Sequence, residues 1–171
     1  RLHKGLQGLV KSRNVTFIEG HGKLVAANTV EVNGEKYIGK NVILATGSYP
    51  KTLPGLEIDG TVIITSEQAI NLDRVPKSVI VLGGGVIGCE FASVWKSFGA
   101  EVTIIEALPH LVALEDESSS KQLERAFRKR GINFELGIKF KSATKSKTGV
   151  EVTLEDGKTF TAEVLLVAVG R

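Results

Sequence analysis

Cysteine occurs once in the 171 residues, at Cys89, so the chain builds neither a disulfide framework nor a cysteine metal-ligand pattern. No apolar run approaches the ~20 residues of a membrane-spanning helix, and the first residues lack the charged-then-apolar order of a secretory leader. The expectation is a cytoplasmic globular protein, without a membrane partner. Neither sign of charge dominates: 22 basic and 19 acidic residues are well mixed, leaving a net +3, which argues against a nucleic-acid surface. Basic runs such as Arg128, Lys129, Arg130 and residues 139–147 read as solvated faces. With 42% hydrophobic residues there is enough material for a core.

What is present centres on residues 78–106, SVIVLGGGVIGCEFASVWKSFGAEVTIIE. An apolar, β-branched run, 78–82, stops at Gly83, and Gly85 and Gly88 complete G-x-G-x-x-G. Gly83 permits a tight turn, Gly85 leaves room for backbone to approach a pyrophosphate, and Gly88 lets a helix pack closely on its strand. Phosphates then sit on the N-terminus of that helix, where free N–H groups and the helix dipole favour an anion. Ile87, Phe91, Val94 and Phe98 recur at helical spacing, and Gly99 supplies a stop. A second strand, 101–105, delivers Glu106, 18 residues after Gly88 (88 to 106) and near the ~20 expected of an acid that holds an adenosine ribose. The motif alone is weak, but a flanking strand, a helix, a second strand and a terminal acid together predict a dinucleotide site. Cys89 lies in this helix as a small buried apolar side chain.

Before this stretch the pattern predicts the end of a helix at 6–10 and short strands at 15–18, 23–26, 29–32, 36–38 and 41–45, with Asn33-Gly34 as a hairpin turn. Residues 66–72 read as a short helix before Pro76. After Glu106 an irregular acidic segment leads to a helix at 119–130 stopped by Gly131. Strands follow at 151–154, 158–161 and 164–169, the first two joined through Asp156-Gly157.

The two strand-rich stretches are versions of each other. Leu6, Val10, Arg13, Val15, Phe17 and Gly20 align at an offset of 117 on Leu123, Phe127, Arg130, Ile132, Phe134 and Gly137. From Asn33 onward the offset is 123 (33 to 156), and residues 42–47 align on 165–170. The change of offset places an insertion in the Lys/Ser/Thr-rich loop after Phe140, where a surface hairpin tolerates one. In the second copy the glycine motif precedes the helix and the meander. The expectation is therefore that the chain starts midway through one dinucleotide domain, with the boundary to a second, almost whole domain between residues 76 and 77.

The glycine stretch, with Ala45-Thr46-Gly47-Ser48 and Ala168-Val169-Gly170-Arg171, resembles the dihydrolipoamide dehydrogenase family of flavin disulfide reductases over essentially the whole chain. The resemblance implies an α/β fold: a Rossmann-like NAD-binding domain with a β-meander, preceded by the C-terminal part of a similar FAD-binding domain. It implies NAD held by Gly83, Gly84, Gly85, Val86, Ile87 and Gly88, with Glu106 on the adenosine ribose, Phe140 along the adenine and Gly170 near the nicotinamide. Glu90 matches an acid close to the nicotinamide; the alternative is a partly buried acid paired with Lys or Arg. Gly22, Thr46, Gly47 and Ser48 match positions that touch FAD. Because Glu106 is followed by Ala107, Leu108 and Pro109 with no nearby cation, NAD is favoured over NADP.

The family's redox cysteine pair, its first glycine motif and its C-terminal His/Glu base have no counterpart here, and His3, His21 and His110 read as surface or turn residues. The resemblance thus implies a fragment with no catalytic residues of its own. Its parent would be a homodimer that passes electrons from the dihydrolipoyl groups of an acyltransferase complex through FAD to NAD. A mercuric or glutathione reductase type and a noncatalytic NAD(H)-sensing module are the alternatives.

Overall fold

In the computed structural model, which describes residues 1–171, the chain divides into two units, Arg1–Gly47 and Ser48–Arg171. The first holds helix α1 (Leu2–Ser12) and strands β1 (Gly22–Ala26), β2 (Thr29–Val32) and β3 (Glu35–Ile38), paired antiparallel in that order. The β2–β3 turn has Asn33 at φ 53° and Gly34 at φ 84°, the pair of left-handed residues that matches hairpin twist. Little is buried: α1 has no buried residue, and in the strands only Thr29 and Val32 are enclosed. The expected strands at 15–18 and 41–45 do not form. A strand exists only by pairing, and neither segment has a ladder partner. Val15, Phe17, Ile43 and Leu44 accordingly remain exposed.

The second unit is organised by a five-stranded parallel sheet in the order β4-β11-β5-β6-β7. Its strands are β4 (Ile63–Ile64), β5 (Ser78–Leu82), β6 (Glu101–Glu106), β7 (Asn133–Leu136) and β11 (Val164–Val167). Helix α2 (Ser66–Ala69) follows β4, α3 (Val86–Ser97) links β5 to β6, and α4 (Glu117–Lys129) links β6 to β7. An antiparallel meander, β8 (Phe140–Ser146), β9 (Gly149–Leu154) and β10 (Thr159–Ala162), precedes the return to β11. Strand alternation divides the core into two layers. Val79, Val81, Val102, Ile104, Val164 and Leu166 face the helices, whereas Ile80, Leu82, Ile105, Leu165 and Val167 face the meander. Burial on both faces explains why these strands read as continuous apolar runs.

Residues 48–76 cluster with the second unit, where β4 pairs with β11 and Leu56 joins the core on the meander side. One expectation changes in α3. The buried stripe of α3 is Gly88, Cys89, Ala92 and Trp95, while Val94 and Phe98 are exposed. Gly88, Cys89 and Ala92 let the helix lie close to β5 with Trp95 buried beyond them and Phe91 packed at the edge, so of the expected stripe Val94 and Phe98 are left exposed. The basic run 139–147 contains the whole of β8, largely exposed, and the six additional residues relative to the first copy lengthen the β8–β9 surface hairpin.

Candidate functional site

The carboxyl ends of β5, β6 and β11 open onto a cleft of about 670 Å³, within the range of small-molecule sites. Every lining residue belongs to the second unit, and among them are Gly83, Gly85, Val86, Ile87, Glu106, Phe140 and Gly170. The turn from β5 into α3 requires glycine for distinct reasons. Gly83 has φ 108°, and a Cβ there would stand 2.4 Å from the Ala168 carbonyl oxygen. A Cβ on Gly88 would stand 1.9 Å from the Gly83 oxygen, so helix and turn are in direct contact. On Gly85 a Cβ would meet nothing within 4 Å. That open space lies at the N-cap of α3, which has no side-chain cap. The first N–H groups of the helix therefore face the cleft, with the positive end of the helix dipole behind them.

Glu106 stands beside this turn. One carboxylate oxygen accepts the Gly84 N–H at 2.5 Å and the other the Leu108 N–H at 2.8 Å. A carboxylate offers about four lone-pair directions, so two acceptor positions remain for hydroxyl groups. Gly84 has no room for a side chain either, since a Cβ would lie 2.7 Å from Leu111 Cδ2 and 3.1 Å from Glu106 Cβ.

Beside Leu108, the lining includes a wall that no motif marks: Val112, Ala113, Leu114 and Glu115 from the β6–α4 connection, and Ile138 and Lys139 before β8. The available signal was position, because connections at the carboxyl ends of parallel strands form the ligand crevice. Val112 donates its N–H to the Gly84 oxygen at 2.7 Å and has φ 44°, a left-handed backbone that is unusual for a β-branched residue. Glu106, Glu115 and Lys139 are the charged groups of the lining; an anion here would be held chiefly by backbone N–H groups.

Gly84 and Gly88 stand behind the cleft's surface. Glu90 is exposed, has no ion pair, and borders a groove with Ile70 and Phe91 that shares Val86 and Val112 with the cleft. Gly22 opens β1, and Thr46 and Gly47 are exposed and irregular in the first unit. Ser48, in the second unit, is gripped by Arg171, whose Nε donates to Ser48 Oγ at 3.0 Å and whose Nη2 donates to the Ser48 carbonyl at 2.8 Å. His110, read as a turn residue, is half-buried with Nδ1 3.2 Å from Glu124 Oε1. Cys89 is buried behind the turn; burial, together with the Glu106 carboxylate, pushes its thiol up to about 11.

The parallel sheet, the glycine turn and the cleft at its carboxyl edge define a Rossmann-like α/β unit. The chain belongs to the pyridine nucleotide-disulphide oxidoreductase family, whose profile matches residues 1–171. It is similar to the dihydrolipoyl dehydrogenase of Cupriavidus necator, 40% identical over all of this chain and 38% of the relative. It is likewise similar to the dihydrolipoamide dehydrogenase of Chaetomium thermophilum, 41% identical over 99% of this chain and 36% of that protein. Among solved structures, LpdA from Mycobacterium tuberculosis superposes with a TM-score of 0.81 at 29% identity, covering 98% of this chain and 39% of that one. The chain thus spans well under half the length of the relatives it matches. No helix is long and apolar enough to cross a membrane.

Proposed function

We propose that the Ser48–Arg171 unit is the NAD(H)-binding part of a dihydrolipoyl dehydrogenase and that the Arg1–Gly47 unit is the C-terminal part of its FAD domain. The observation that carries the reading is the Glu106 carboxylate, fixed by the Gly84 and Leu108 N–H groups beside an uncapped helix N-terminus. The fit is supported by the open space over Gly85, where a side chain would occupy the cleft.

In this reading the N–H groups at the start of α3 bind the pyrophosphate, and Glu106 accepts the hydroxyls of the adenosine ribose. Ile138 and Phe140 offer an apolar surface to the adenine, and Gly170 leaves the nicotinamide end unobstructed. Glu90, one turn into α3, would stand near the nicotinamide. When bound, NAD accepts a hydride, here from reduced flavin. Gly22, Thr46, Gly47 and Ser48 would touch FAD in the whole protein. That protein would be a cytoplasmic homodimer serving a lipoyl-bearing acyltransferase complex. The chain itself would be inactive, since Cys89 is buried and has no partner cysteine for dithiol chemistry.

The test is calorimetric titration of the chain with NADH alongside its visible spectrum and a lipoamide-reduction assay. Saturable NADH binding without a flavin spectrum or activity is expected. A chain that binds no NADH, or a yellow and active one, overturns the reading.

A further inference from the structure

From α4, outside the cleft, Glu124 reaches back to the wall. Its side chain is only 8% exposed, a costly place for a carboxylate unless it is bonded. Here Oε1 accepts the N–H of the fully buried Leu111 and faces His110 Nδ1, each at 3.2 Å, while Oε2 lies 4.0 Å from Arg128 Nη1 one turn along the helix. One turn earlier, Ser120, also buried, donates its hydroxyl to the Val112 carbonyl at 3.3 Å. Two polar side chains of α4 therefore grip consecutive wall residues. Those residues in turn abut Gly84: Leu111 fills the space where a Gly84 Cβ would be, and Val112 donates to the Gly84 oxygen. Glu106 takes the Gly84 N–H from the other side. The peptide groups of Gly84 are thus fixed by a chain of contacts that ends on α4.

We infer that Glu124 is a positioning residue for dinucleotide binding, with Ser120 as its second anchor: together they hold the wall, Val112's left-handed backbone and the glycine turn in the arrangement that receives the adenosine and pyrophosphate. This rests on the cleft being an NAD(H) site. Neither side chain touches the ligand. Their effect passes through Leu111 and Val112, and small displacements of a positioning element weaken binding out of proportion to their size.

The experiment is calorimetric titration of the 171-residue chain and of Glu124→Leu, Glu124→Gln and Ser120→Ala with NADH and with ADP-ribose, at a temperature where circular dichroism shows each folded. Loss of the charged acceptor in Glu124→Leu is expected to weaken both ligands by the same factor, about ten-fold. Glu124→Gln keeps an oxygen for the Leu111 N–H and stays within about three-fold of wild type, and Ser120→Ala loses about three-fold. A purely structural role predicts a lowered unfolding midpoint with unchanged affinities in the folded variants; that result overturns the inference. Should Glu124→Leu not fold, Ser120→Ala decides, and wild-type affinity there overturns it. A wild type that binds neither ligand removes the cleft reading and this inference with it, whereas tight wild-type binding with unaffected variants removes the inference alone.

Discussion

Glu106 accepts the Gly84 N–H at 2.5 Å, so the acid at the end of β6 and the middle glycine of the turn form one unit. Removing the carboxylate frees the turn and, in the proposed NAD(H) site, would also take away the ribose acceptor. Charged hydrogen bonds contribute ~1.5–3 kcal/mol, so Glu106→Ala is expected to weaken NADH by at least about ten-fold. Against NADPH the same carboxylate meets a dianionic phosphate, so the wild type is expected to prefer NADH by at least about ten-fold. Glu106→Ala narrows that gap, and adding Ala107→Arg shifts preference towards NADPH. Calorimetry on all three proteins reads this out; equal wild-type affinities would remove Glu106 from the ribose.

Two glycines three residues apart are expected to respond oppositely. Gly85 has φ −71° and open space around it, so Gly85→Ala is expected to fold with near wild-type stability and to bind NADH poorly. Gly88→Ala drives a Cβ to 1.9 Å from the Gly83 oxygen, and overpacking of this kind costs ~1–3 kcal/mol. Urea midpoints paired with NADH titrations separate the two. A Gly85→Ala protein that binds normally would mean the ligand does not cross that space.

Amide exchange is expected to divide the chain at Gly47. Helix α1, β1 and β3 bury nothing, whereas four of the five β5 residues and all of β11 are buried. Exchange through local opening follows such differences. Mass-spectrometric exchange showing residues 22–38 as protected as 78–82 would contradict this.

Asp59 gives a pH signature. Burial would raise its carboxyl, but the Lys145 ammonium, 2.9 Å away, and the N–H groups of Thr61 and Val62 outweigh burial and hold it well below the usual carboxylate range. A depressed folded value stabilises the native state above the unfolded pKa of about 4, and that stabilisation disappears as the pH falls below it. Asp59→Asn is expected to lower stability at pH 7 by ~1–2 kcal/mol and to flatten the acid limb below about pH 4 relative to wild type. Thermal midpoints across the acid range provide the check, and parallel curves for the two proteins would refute it.

Cys89 is expected to resist thiol reagents. With the thiol at about 11 and its hydrogen on the Gly84 carbonyl at 3.3 Å, the reactive thiolate is scarce. Labelling at pH 8 is expected to be roughly 10²-fold slower in the native chain than in urea. Comparable rates would show that the turn opens readily.

The β5–α3–β6 core was legible because its signals are local. The strand at 78–82 and the acid at 106 fall where the apolar runs and glycines put them. The buried face of α3 was not, since three of its four buried residues, Gly88, Cys89 and Ala92, are small, Trp95 being the fourth, and periodicity weights large side chains. Residues 15–18 and 41–45 have strand composition but no pairing partner, which no local pattern reveals. Glu124 and Asp59 look like ordinary surface acids; their roles arise from backbone N–H groups brought to them by the fold.

The unpaired segments 15–18 and 41–45 also govern how the chain behaves in a tube. Phe17 and Ile43 stand 77% and 88% exposed on backbone without ladder partners, a template for edge-to-edge association. Self-association through these segments is expected to rise with protein concentration. Since NADH would occupy the other unit, ligand that raises the melting point of the sheet is not expected to protect against precipitation that starts in the first 47 residues.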